Sequence, residues 1–163
     1  MNRFLPLVLY LSISIFLIII QTSILTPKYI GIFSPDLNLI LIIYLAINPK
    51  IKNSFALVVF NGFLMDFFSG NTPGLYTFTR IIAYIMLRYS ITKFDFNSRR
   101  SQAVAIFAAT LLFWCLIFIV LKIKSIESFS ISLNLVLHQA TINTAVGTIL
   151  IILFRKLDAK FQK

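Results

Sequence analysis

Large apolar side chains run along this chain in six stretches, each closed by a short segment of Lys, Arg, Asn, Ser or Pro. The stretches are Phe4 to Leu25, Pro35 to Ile47, Ile51 to Ser69, Leu75 to Tyr89, Ala103 to Leu121 and Leu133 to Phe154. A helix needs roughly 20 residues to cross a hydrocarbon core of about 30 Å, and tilt or local thinning absorbs moderate departures. The second stretch is short by that measure. It either leans on its neighbours or continues through Asn48 and Pro49 with a kink. Four to six crossings are compatible with the lengths, and the pattern predicts an all-α, polytopic membrane helix bundle of about six transmembrane helices.

Composition agrees with oil rather than water as the solvent. Of the 163 residues, 59% are hydrophobic and only 12% are charged, and the mean hydropathy is +0.93. A water-soluble domain carries about a quarter charged residues. No polar linker divides the chain, so residues 1–163 are expected to form a single integral membrane domain.

The net charge of +10 would suggest nucleic acid in a soluble protein. Here the cations are parcelled between apolar runs instead of pooled in a patch, which is how membrane proteins set their orientation, and nucleic acid is not expected as a partner. With six crossings, one side of the membrane collects eleven Lys and Arg residues and the other collects Lys28, Arg80, Lys122 and Lys124, together all 15. A five-crossing arrangement scrambles that separation. Both termini are therefore expected in the cytoplasm. Asn2 and Arg3 precede a long first run with no small-x-small cleavage site after it, so this run reads as a retained anchor and not a secretory signal. Cys115 lies inside an apolar run and is expected to be a small packing residue.

Charges inside apolar runs need a partner, water or shallow depth, because each costs about 2.5 to 3.5 kcal/mol at mid-bilayer. Asp66 precedes the turn "GNTPG" by four residues and Arg80 follows it by six. At 1.5 Å per residue both lie within about 10 Å of one shared hairpin, which puts them in reach of a lateral ion pair. The competing reading has each charge snorkelling separately to the headgroups. A proton or ion pathway would need more titratable groups than the chain supplies. In "FSPDLNLI", Ser34 is a helix cap, Pro35 suits the first helical position and Asp36 complements the positive end of the helix dipole. The loop count puts Asp36 on the same outer side as Asp66 and Arg80, so the three form either a cluster there or, for Asp36, a capped helix and no more.

In the last run, Asn134, His138, Thr141 and Thr148 share one helical stripe with Ala145, and this polar, small face is expected to turn into the bundle. His138 lacks companions at ligand spacing, which favours an interhelical hydrogen bond over a metal. Ala105 and Ala109 make a small-xxx-small step for close helix packing or partner docking. Residues 122–132, "KIKSIESFSIS", alternate and read as an interfacial piece or a partner contact. The basic stretches "TKFDFNSRRSQ" and "RKLDAKFQK" suit an anionic inner leaflet. No Ser, His and Asp set and no phosphate-binding Gly loop is present, so neither an enzyme nor a cofactor is expected.

Pro35, Asp36 and Leu37 at a helix start, with Gly62, Asp66, Ser69, Gly70 and Gly74 around an outer hairpin, in a small basic chain of five or six spans, resemble the MreD family. That family comprises rod shape-determining membrane proteins of bacteria. The resemblance implies a non-enzymatic subunit of the cell-elongation machinery in the cytoplasmic membrane. Its partners would be an MreC-like bitopic protein and, indirectly, an MreB-like actin homologue and the peptidoglycan synthases. It also implies a fold similar to the substrate-binding subunits of energy-coupling-factor vitamin transporters. Those subunits provide the alternative function, but they typically carry Ala-x-x-x-Ala on the first span, and "FLPLVLYLSISIFLIII" contains no alanine. The candidate partner-binding or structural positions are Pro35, Asp36, Asp66, Arg80, Asn134 and His138.

Overall fold

The computed structural model describes residues 5–25, 34–48, 51, 53–69, 73–124 and 132–161. Six α-helices follow one another: α1 (Leu5–Ile20), α2 (Leu37–Ile47), α3 (Ser54–Ser69), α4 (Leu75–Ser90), α5 (Arg99–Ile123) and α6 (Leu133–Phe161). Among the described residues there is no strand, and the fold is all-α. By length and composition, α5 and α6 are long enough to cross a membrane, and shorter apolar helices accompany them.

The short second run leans on its neighbours. All eleven residues of α2 are buried, and the helix touches each of the other five. At about 17 Å it is too short to cover the hydrocarbon thickness alone, so enclosure by longer helices resolves the mismatch. It does not continue as a kinked helix. Asn48 turns to extended angles, φ −102° and ψ 98°, as expected of a residue that precedes a proline.

Around this central rod, α3 pairs with α4 and α5 pairs with α6, while α1 lies against α2 and α3. The α3–α4 approach depends on Gly62, where an added Cβ would stand 2.6 Å from the Thr77 Cα. Gly74 supplies the left-handed φ of 82° at the entry to α4. Gly70, Asn71 and Thr72 of the expected hairpin lie outside the described residues. So does most of the expected interfacial piece, 125–131. The third run starts later than its hydrophobicity suggests, at Ser54, because Asn53 takes a left-handed φ of 61° and breaks the helix there.

Large apolar side chains cover much of the outer surface. Phe16, Phe63, Phe67, Phe68, Phe118, Ile149 and Leu153 are all exposed, an arrangement that suits lipid contact and would aggregate in water. Cys115 is exposed on this surface too, so it is not the interior packing residue expected from its apolar neighbours. Ala105 and Ala109 are inside, 4% and 3% exposed, and serve packing within the bundle.

Candidate functional site

Each helix brings a polar side chain to one buried cluster at the N-terminal end of α2. Arg80 is its centre and is fully buried on α4. Its Nη2 lies 3.4 Å from Asp36 Oδ1 and 3.5 Å from Oδ2, and its Nη1 donates to Asn61 Oδ1 on α3. The guanidinium also sits 5.5 Å from the Tyr76 ring centroid, a cation–π contact strengthened by exclusion of water.

Asp36 serves several groups at once. Its Oδ1 accepts from Leu39 N at 2.9 Å, capping α2, and from Gln21 Nε2 at 3.3 Å. Its backbone N–H donates to Asn143 Oδ1 on α6 at 2.8 Å. The carboxylate thus meets both a guanidinium and the positive end of a helix dipole.

The remaining amides extend the cluster outward. Asn38 Nδ2 donates to Gln21 Oε1 at 2.9 Å, while Asn61 Nδ2 donates to Asn38 Oδ1 at 2.9 Å and to Ser14 Oγ on α1 at 2.6 Å. Asn143 Nδ2 reaches Thr110 Oγ1 on α5 at 3.2 Å. Gln21 gets there because α1 ends in a π-helical turn, Gln21–Leu25, a local rewinding that redirects side chains. With no water to satisfy them, buried amides gain most by bonding one another.

A second cluster lies at the other end of α2. The hydroxyls of Tyr10 and Tyr44 both donate to the Asp158 carboxylate on α6, and Asn48 Nδ2 donates to Asp158 Oδ2 at 2.8 Å. The Tyr44 ring packs on Phe154 with centroids 5.2 Å apart. The Tyr10–Asp158 bond joins the N-terminal half of α1 to the C-terminal part of α6, so these two helix ends share one side of the bundle.

Several expected placements are corrected. The helix is capped by Asp36 and not by Ser34, and Pro35 lies just before the first turn, its carbonyl accepting from Leu37 N at 3.1 Å. Asp66 does not clamp Arg80. It accepts from Tyr76 N at 2.8 Å, Thr77 N at 3.0 Å and Thr77 Oγ1 at 2.6 Å, so it satisfies orphan donors at the start of α4. Arg80 does not snorkel either. It projects inward because Asp36 and Asn61 offer stronger acceptors than the interface at no cost in exposed helix surface.

Asn134, His138, Thr141 and Ala145 are exposed on the outward face of α6, contrary to the inward turn expected of them. Ala140, Asn143, Ile151 and Phe154 turn inward instead, about half a helical rotation away. The longer apolar side chains and the partner-seeking Asn143 set the helix phase. Asn38, Asn61 and Asn143 belong to no motif, although a single amide within an apolar run is itself a signal of burial against another helix.

No curated protein and no solved structure matches the chain. The family model of the rod shape-determining protein MreD matches residues 1–161, almost its full length. With that match, the all-helical fold and the lipid-suited surface, the chain belongs to MreD, the family of rod shape-determining membrane proteins.

Proposed function

We propose that the chain is a multi-pass, non-enzymatic scaffold of the bacterial inner membrane, with six crossings and both termini in the cytoplasm. Within the cell-elongation machinery it binds an MreC-like bitopic protein and through it serves an MreB-like filament and the peptidoglycan synthases. The observation that carries this reading is the family correspondence along residues 1–161. The meeting of α1 and α6 at Asp158 supports an even number of crossings, and the cation bias supports a cytoplasmic position for that end. A fold like that of the transporter subunits is part of this proposal, but vitamin transport is not favoured.

In this reading Pro35, Asp36, Asp66 and Arg80 have a structural role, since their polar groups face the chain's own helices. The outward stripe of α6 with Asn134 and His138 is then the face offered to a partner's transmembrane segment. Small and polar residues let helices approach closely in lipid. The test is co-expression with an MreC-like protein and purification in mild detergent. A stable complex weakened by Asn134→Leu with His138→Leu is expected, and recovery of the chain with no membrane partner would sink the proposal.

A further inference from the structure

The α4–α5 connection, the end of α2 and Arg155 of α6 line an open cavity of about 390 Å³. That volume falls in the range of small-ligand pockets. Its wall carries Lys93, Asp95, Asn97 and Arg155, with Ile91 and Phe94 beside them. We infer that this cavity binds the phosphodiester of a membrane phospholipid headgroup, with Lys93 and Arg155 as the two cationic contacts.

The cavity is braced from two helices. Gln102 of α5, 2% exposed, donates from Nε2 to the Phe96 carbonyl at 2.9 Å and to the Asn97 carbonyl at 3.3 Å. Arg155 donates to the same two carbonyls at 3.2 and 3.4 Å. A guanidinium carries five N–H donors, so Arg155 keeps donors for an anion while it holds the loop. The Lys93 ammonium stands 5.2 Å from the Tyr89 ring centroid, which restrains its position without using its hydrogen-bonding capacity on another side chain.

Charge and depth both fit a headgroup. Two cations and one carboxylate leave one net positive charge on the wall, the complement of one phosphodiester. Asp95 is turned to the backbone, accepting from Asn97 N at 3.0 Å. Tyr89 and Phe94 are 63% and 65% exposed beside the opening, and exposed aromatics adjoining cations mark the membrane–water boundary. Arg99 and Arg100, also exposed, raise the local potential at the same end of the bundle.

The test offers detergent-purified protein an equimolar mixture of phosphatidylglycerol and phosphatidylcholine and counts retained lipid by native mass spectrometry. Wild type is expected to retain phosphatidylglycerol in preference, and Lys93→Gln to lower that retention about fivefold, the effect of one interfacial cation. Arg155→Gln should lower it at least as much. Lys122→Gln, at the far end of α5, removes the same charge elsewhere and should leave retention unchanged. Lys93 bonds no backbone group through its side chain among the described residues, so its replacement tests the site without loosening the loop. Equal retention by wild type and Lys93→Gln overturns the proposal. Displacement of the lipid by excess inorganic phosphate would assign the cavity to a free phosphate and overturn the lipid source.

Discussion

The two ends of α2 solve the same problem in different ways. At its N-terminal end a carboxylate and a guanidinium are buried together, and neutral amides from the surrounding helices supply further hydrogen bonds, although Arg80 Nε is left without an acceptor. At its C-terminal end Asp158 has no guanidinium among its bonded partners in the described residues. Two tyrosine hydroxyls and Asn48 hold it where the side chain is only half-buried. The first arrangement is needed where no water arrives, because an unpaired charge there has no alternative partner. The second is sufficient where the carboxylate is half-exposed and water can take over from any missing donor. Depth therefore decides whether a charge must bring its countercharge.

The strongest way to break this comparison is to remove the buried cation. Arg80→Met leaves the Asp36 carboxylate without its countercharge, held only by Leu39 N, Gln21 and the α2 dipole, and about 3 to 5 kcal/mol of unfolding free energy should be lost, read by denaturant titration in micelles. Adding Asp36→Asn should recover part of that loss, since the stranded charge goes with it. If the double variant is worse than the sum of the two singles, the charges are not compensating each other. At the other end, Asp158→Asn should cost about 1 to 2 kcal/mol, because water can replace the lost acceptor. A cost as large as that of Arg80→Met would make the two ends equivalent and end the distinction. Asp66→Ala should have the smallest effect, about 1 kcal/mol, as for loss of a helix cap. Amide exchange at Tyr76 and Thr77 should speed up locally, which distinguishes loss of a cap from a global change.

Much of the bundle was legible in the apolar runs. All six helices begin or end within a few residues of them, and the second run is plainly too short to cross alone. The helix start at Asp36 was also legible, because Pro and Asp in that order are local chemistry, although the capping residue was displaced by two positions. The charged pair was not. Asp66 and Arg80 are close along the chain, so sequence distance favoured their pairing over one between Asp36 and Arg80, which are 44 positions apart. The phase of α6 is not legible for a related reason. A polar stripe suggests an inward face, while one asparagine, Asn143, finds its buried partners on other elements and turns the opposite face inward.

What the sequence by itself determined is the solvent, the secondary structure and the positions where chain direction reverses. Those depend on the local density of apolar groups, on helix-terminal chemistry and on where cations accumulate. Only the tertiary structure decided which polar groups meet. In a medium without water every buried donor seeks an acceptor, and several acceptors lay within chemical reach of Arg80. The choice among them was made by the packing of α2 against all five neighbours, which brings Asp36 and Asn61 together around that one guanidinium.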